Sequence, residues 1–241
     1  MLATKHEPFN RAGWLFEIKY DGYRLICEKQ GARTTLTSRK GKDLTQTFPE
    51  IALAVSRLPY EHIVLNGEAV VLDLNGLPNF SKMQKRRRLN DTSTIQDAMR
   101  RYPATLSAFD LVAFDTHDLT DLPLSKRKDH LLALLPDAGV IKYSAHIEKD
   151  GVAMYEAAVQ MGLEGVVGKK ASSRYRAGRS DNRVKMRREL TDDFVIMGYK
   201  ASGQDIRSLA LGQHIDNKLT YFRQRGIRLK RIHQKTFTHQ I

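Results

Sequence analysis

The chain has 241 residues, 41% of them hydrophobic, and its 40 Lys+Arg against 27 Asp+Glu give a formal net charge of +13. That balance favours polyanions such as nucleic acid, nucleotide phosphates or an anionic surface, without choosing among them. A lone Cys27 excludes an internal disulfide, the eight histidines show no metal-ligand spacing, and neither a membrane span nor a signal-peptide core is found, so a soluble protein of a reducing compartment is expected.

Trp14–Tyr20 predicts a strand, because Phe16, Ile18 and Tyr20 alternate with Glu17, Lys19 and Asp21. Asp21-Gly22 then reads as a two-residue hairpin leading into a strand at Tyr23–Lys29. Thr34–Ser38 is a further strand that stops at "RKGK", and Pro49–Leu58 predicts a helix with proline in its first turn. Val64–Leu74 is apolar and β-branched until Asn75-Gly76 breaks it. "QKRRR" (Gln84–Arg88) reads as a solvated charged face able to steer a duplex by counterion release. Ser107–Phe114 is another apolar run. Leu124–Leu135 predicts a helix capped by Ser125, with cations outside and leucines inside. A helix at Gly151–Met161, closed by Gly162, precedes a strand at Gly165–Lys169.

Beyond Thr191 the pattern changes. "DDFVIMGYKASG" opens a strand-rich segment, with a hairpin around Asp216-Asn217, and after Phe222 the chain becomes a basic tail without strand pattern. The expected division is a domain over 1–192 and an incomplete β segment over 193–241, since two or three strands alone cannot bury a core.

Charged residues recur where strands end: Glu17, Lys19 and Arg24; Arg39; Glu68; Glu164 and Lys169; Lys185 and Arg187. Chemistry on a nucleoside triphosphate needs such a set, with cations to gather phosphate charge and a carboxylate or two for Mg²⁺. A lysine serves as nucleophile only as the free amine, and at a reference pKa of ~10.4 about one in 2,500 is neutral at pH 7. Lowering that pKa by three units takes about 4 kcal/mol, which neighbouring cations and partial desolvation can supply. "GVVGKKAS" is not a P-loop: it lacks the glycine spacing and has Lys170 where Ser/Thr belongs. Read alone, Phe109 is a core residue, Glu68 a strand-face carboxylate, and Arg24 and Arg39 solvated hairpin charges.

"EIKYDGYR" resembles the Lys-x-Asp-Gly-x-Arg motif of covalent nucleotidyltransferases, and its flanks are similar to ATP-dependent DNA ligases, particularly the ligase module of bacterial end-joining (type D) ligases. "SRKGKDLT", "LNGEAVVLD", "FDLVAFDTHDLTDLPL", "EGVVGKKASSRYRAGRS" and "VKMR" resemble that family's later motifs in order, and "FVIMGY" the entry to its oligonucleotide-binding (OB) domain. The resemblance implies an α+β covalent nucleotidyltransferase fold (an ATP-grasp-like adenylation domain), antiparallel sheets flanked by helices, followed by a partial OB-type β segment. It implies ATP and Mg²⁺ (or Mn²⁺) as cofactors, and Lys19 as the nucleophile that takes AMP and passes it to the 5′-phosphate of a DNA nick. Glu17 would sit by the adenine with Ile18 beside it, and Phe109 would stack on the base. Arg24 and Arg39 would contact ribose or phosphate near the nick, and Glu68 and Glu164 would hold the metal. Lys169 and Lys185 would hold the α-phosphate, with Arg187 beside them.

Three positions depart from the family pattern: Asn66 stands for Asp, Arg183 for Trp and Arg187 for the second lysine. Nicked double-stranded DNA is the expected partner, with end-joining repair proteins acting in trans. A monomer in the bacterial cytoplasm, at the nucleoid and off the membrane, is expected. The alternatives are an RNA ligase or capping-type nucleotidyltransferase, a chain reduced to the adenylation half-reaction, and a degenerate nucleotide-binding or nucleic-acid-binding remnant.

Overall fold

The period-two patterns place strands where apolar and charged residues alternate, and the computed structural model describes residues 2–89, 91–136, 139–176, 178–188, 194–202, 205–215 and 218–226. In chain order they form β1 (Leu2–Lys5), β2 (Arg11–Ile18), β3 (Tyr23–Gln30), β4 (Arg33–Ser38), α1 (Pro49–Ser56), β5 (His62–Val71), α2 (Phe80–Arg88) and α3 (Thr92–Arg101). There follow β6 (Ala104–Phe114), β7 (His117–Asp118), α4 (Leu124–Leu134), β8 (Ile141–Tyr143), β9 (His146–Lys149), α5 (Gly151–Gln160), β10 (Gly165–Lys170) and β11 (Arg179–Arg187). The last are β12 (Val195–Ser202), β13 (Asp205–Ile215) and β14 (Lys218–Gly226). The chain divides into two units, Met1–Arg188 and Glu189–Ile241.

The first unit holds two largely antiparallel sheets, in the orders β1-β11-β10-β2-β9 and β4-β3-β5-β6-β7, with β8 pairing β6. Each sheet has one apolar face. Trp14, Phe16, Val166, Val184 and Met186 pack with Ala158 of α5 and with Leu163. On the other sheet Leu25, Cys27, Leu65 and Leu106 pack against Ile51 and Val55 of α1, Met83 of α2 and Leu131 of α4. The opposite faces carry the charge, and between them lies the cavity described below.

Asp21-Gly22 is not a hairpin: β2 and β3 belong to different sheets, and the chain crosses between them at residues 19–22. Gly22 serves a close approach instead. A Cβ there would lie 2.2 Å from the Ala69 carbonyl oxygen and 2.9 Å from Val70 Cγ1. The Gly76 turn after β5 does need a left-handed residue, with φ at 76°.

Helix α4 corrects two expectations. Ser125 caps nothing; the Leu124 and Ser125 amides donate to the Ser173 and Ala171 carbonyls at 2.9 and 3.0 Å, so the loop after β10 supplies the cap. The buried face is Leu124, Arg127, Lys128 and Leu131, so two cations point inward among the leucines. "QKRRR" is likewise not a purely solvated face. Arg86 is fully buried, donating through Nη2 to both Glu50 oxygens at 2.7 and 2.9 Å.

In the second unit β12, β13 and β14 form an antiparallel meander. Ile215 pairs with Lys218 across the expected hairpin, whose Asp216-Asn217 turn lies outside the described residues. Strand pairing does not stop at Phe222: β14 runs on to Gly226, opposite Ser208. The remainder of the basic tail, 227–241, lies outside the described residues.

Candidate active site

Register builds the site. In β10, β11 and β2, Gly165 pairs with Arg187, Val167 with Lys185 and Glu17, and Lys169 with Arg183 and Leu15. The Lys19 amide donates to the Gly165 carbonyl at 2.9 Å, so Lys19 prolongs the first of these rows. Paired residues share a sheet face. One face therefore presents Lys19, Glu17, Lys169, Arg183, Lys185 and Arg187 together, as alternation along each strand demands.

The facing sheet contributes Arg24 from β3, Asn66 and Glu68 from β5, and Phe109 and Asp110 from β6. A bulge makes the last pair possible. Asn66 pairs with Asp110 and Gly67 with Ala108, so Phe109 is an extra residue on β6. The bulge keeps Ala108 and Leu111 in the core while freeing Phe109 and Asp110 for the polar side. Phe109 is only half-buried and stands outside the core cluster, against its reading from sequence alone as a core residue.

Between the two faces is a cavity of about 160 Å³, whose lining includes Glu17, Lys19, Glu68, Phe109, Lys169 and Arg183. Arg24 and Ile18 also border it, Ile18 packing its side chain against the apolar cluster behind. Lys19 Nζ bonds Glu164 Oε2, and Arg187 Nε donates to Glu164 Oε1 at 2.7 Å, so one carboxylate gathers both cations. Lys185 is half-buried on the same sheet face without lining the cavity. Arg39 is exposed in the turn after β4 and does not line it either.

Glu17 is buried at the cavity floor. It accepts from Lys169 Nζ at 2.7 Å, Lys128 Nζ at 2.9 Å and Ser144 Oγ at 3.0 Å. Burial works against its charge, but the two lysines outweigh it and hold the carboxyl below its usual range. One carboxylate cannot neutralise two buried ammonium groups, and Lys169 yields. Burial pushes it down to about 7, Arg183 and Lys128 push the same way, and Glu17 opposes them. Its Nζ lies 4.3 Å from the centre of the Phe109 ring.

Glu68 is the reverse case. Burial pushes its carboxyl up to about 7, with Asp21 and Glu164 adding to the rise and Lys19 and Arg24 pulling against it. The Asp21 carboxyl also rises, through burial first and then Glu164. Carboxylates thus crowd around Lys19. No group of three or more His, Cys, Asp or Glu converges on a metal position among the described residues. Mg²⁺, held by one or two carboxylates with phosphate oxygens completing its shell, needs no such group, and Glu68 and Glu164 beside Lys19 fit that demand.

Several site residues escaped the sequence reading. Asp110 accepts from Arg127 at 2.7 and 3.1 Å and from Arg183 at 2.7 Å, and these cations hold its carboxyl low despite burial. Lys128 anchors Glu17. The available signal was the helical spacing of Arg127 and Lys128 with Leu124 and Leu131 on α4. Of the departures from the family pattern, Asn66 is satisfied: it accepts from Arg24 Nε at 3.1 Å and donates to the Tyr175 hydroxyl at 2.9 Å.

Residues 1–187 match the family model described as the ATP dependent DNA ligase domain. The chain is 33% identical over 230 residues to the multifunctional non-homologous end joining protein LigD of Pseudomonas aeruginosa, covering 93% of this chain and 26% of that protein. It is 36% identical over 215 residues to the corresponding DNA repair protein LigD of Mycobacterium tuberculosis, covering 88% and 26%. It thus spans about a quarter of the length of these relatives. A solved mycobacterial DNA ligase D complexed with ATP and MES superposes with a TM-score of 0.69 at 32% identity, covering 100% of this chain and 76% of that one.

Proposed function

The chain belongs to the ATP-dependent DNA ligase domain family, a family of covalent nucleotidyltransferases, and from that premise we propose that it adenylates itself on Lys19 and uses the AMP to seal nicked double-stranded DNA. The observation that carries this reading is the placement of Lys19. It lines a half-open, cation-rich cavity, bonded to a carboxylate that can take its proton, and the Phe109 ring, which can cover a base, lines the same cavity.

In this reading the Lys19 amine attacks the α-phosphorus of ATP. A P–N bond forms, the bond to pyrophosphate breaks, and the amine proton passes to Glu164. Arg187, on the other Glu164 oxygen, fixes that carboxylate. Arg24 Cζ and Lys169 Nζ lie 5.6 and 4.3 Å from the centre of the Phe109 ring and would draw the nucleotide's negative charge into the cavity. Mg²⁺, held by Glu68 and Glu164, would neutralise the charge of the pyrophosphate leaving group. Lys185 lies one row from Arg187 on the same face and is proposed as an α-phosphate contact, and the exposed Arg39 as a contact to the DNA strand. The division at residue 192 and the assignment of the second unit as an OB-type segment belong to the same proposal; the β12–β13–β14 meander supports it.

The proposed setting is bacterial end joining in the cytoplasm at the nucleoid, as a monomer with repair proteins acting in trans. No helix among the described residues is long and apolar enough to cross a membrane. Intact-protein mass after incubation with ATP and Mg²⁺ tests the central claim. The parent gains about one AMP unit (~329 Da) and Lys19→Ala gains nothing. A folded parent without the adduct, either as purified or after incubation, would refute it.

A further inference from the structure

Helix α2 carries five cations and no carboxylate. The fold accounts for one of them: Arg86 turns inward and shares Glu50, whereas Lys85 and Arg88 are exposed and Lys82 and Arg87 half-buried. Met83 and Arg86 define the buried face, so Ser81, Lys85 and Arg88, spaced i, i+4, i+7 and all exposed, form the outward one. Among the described residues, none of Lys82, Lys85, Arg87 and Arg88 comes within ion-pair distance of a carboxylate. Helix α3 treats its charge differently, since its exposed Arg100 and Arg101 both pair with Asp97, at 2.8 and 3.0 Å. Helix stability does not explain the unpaired set. A cation in the last turn offsets the helix dipole, but like charges three and four residues apart repel, and Lys82 in the first turn opposes the dipole outright.

The helix sits beside the crossing that carries Lys19. Arg87 Cζ lies 4.9 Å from the centre of the Tyr23 ring, and Phe80 stacks on that ring with centroids 6.3 Å apart. Tyr23 follows the crossing at residues 19–22 and directly precedes Arg24, which borders the cavity. Alternation along β3 sends Tyr23 toward the core and Arg24 to the cavity side, so α2 lies outside the cavity and none of its cations lines it. A nucleotide confined to the cavity does not use them. A duplex whose nick lies at Lys19 extends beyond the cavity in both directions, with one backbone charge per ~1.7 Å of its axis.

We propose that the outward face of α2 is a docking surface for the phosphate backbone of the duplex flanking the nick, with Lys85 and Arg88 as its central contacts and Arg87, held on Tyr23, at the edge beside the crossing. The assignment rests on the nick-sealing reading above and adds the surface that holds the substrate outside the reacting centre. Lys85 and Arg88 are neighbours on one helix face, with Cβ atoms roughly 5–6 Å apart, so they suit successive phosphates of one strand. Such contacts set the position of a duplex and carry no sequence information.

Fluorescence anisotropy of a labelled nicked DNA duplex over a salt series, with ATP and Mg²⁺ withheld, measures this binding on the whole chain. The double variant Lys85→Ala/Arg88→Ala should weaken the duplex about tenfold at low salt and reduce the slope of log K against log[salt] by about 2. Arg87→Ala should reduce the slope by about 1. The double variant Arg100→Ala/Arg101→Ala removes the same number of cations from α3 and so controls for the field of the whole protein; its affinity should stay within about twofold of the parent. Circular dichroism of each variant confirms that it is folded. An unchanged slope for the α2 double variant, or an equal loss for the α3 control, would overturn the assignment alone. A parent that binds no duplex would overturn it as well, and the mass experiment then separates the cases. With the AMP adduct present only the DNA half of the proposed function falls, and without it that function falls as a whole.

Discussion

Replacing Glu68 by Gln should stabilise the fold in a pH-dependent way. The Glu68 carboxyl is raised from 4.5 to about 7, chiefly by burial, despite Lys19 and Arg24 nearby. Below pH 4.5 both the folded and unfolded chains hold the proton and the residue is neutral to stability. As pH rises from 4.5 toward 7 the unfolded chain releases its proton while the folded chain keeps it, so stability falls. Above about 7 the loss is complete, and a rise of this size corresponds to about 3 kcal/mol. Glutamine keeps the shape and never ionises. Urea unfolding should therefore show Glu68→Gln more stable than the parent by about 3 kcal/mol at pH 8 and by less than about 1 kcal/mol at pH 5. The same variant should lose adenylation, since it removes a carboxylate proposed to hold Mg²⁺. A variant equally or less stable than the parent at pH 8, or one whose gain is the same at both pH values, would refute the account of a carboxylate kept at a stability cost.

Glu17→Gln should act in the opposite direction, because it leaves Lys128 and Lys169 buried without their shared carboxylate. Thermal or urea melts at pH 7 should show a loss of about 3–5 kcal/mol. Glu17 has a depressed carboxyl, so its contribution is present above pH 4.5 and fades as pH falls, and the difference between parent and variant should narrow toward acid. Gly22→Ala should prevent folding or cost several kcal/mol, since its Cβ would meet the Ala69 backbone at 2.2 Å. Gly76→Ala, with open space around it but a φ of 76°, should cost only about 1 kcal/mol in the same denaturation series. Cys27 is fully buried and burial pushes its thiol up, so a thiol reagent should label it only at the rate of unfolding.

The strand carrying Lys19 was legible because its chemistry and its packing obey the same period of two. Phe16 had to enter the core, which sends Glu17 and Lys19 to the other face. The same rule, applied to β10 and β11, puts Lys169, Lys185 and Arg187 on one face of the sheet. The resemblance to ATP-dependent DNA ligases, read from short motifs in order, agrees with the family match over residues 1–187. Asp21-Gly22 misled because a short-range signal cannot tell a hairpin from a crossing between sheets. That distinction depends on β5 lying against Gly22, nearly fifty residues along the chain.

Sequence by itself therefore determined which residue types could do the chemistry and which strand faces they occupy, because alternation is local. Tertiary structure alone decided which charges meet. Arg127 and Lys128 resemble surface cations on a leucine-rich helix until α4 docks on β6 and brings Asp110 and Glu17 within bonding distance. Phe109 and Asp110 share the site only because a bulge shifts β6 by one residue against β5. Buried charge is tolerated where a partner of opposite sign arrives from a distant part of the chain, and pairing at such separation leaves no periodic trace in the sequence.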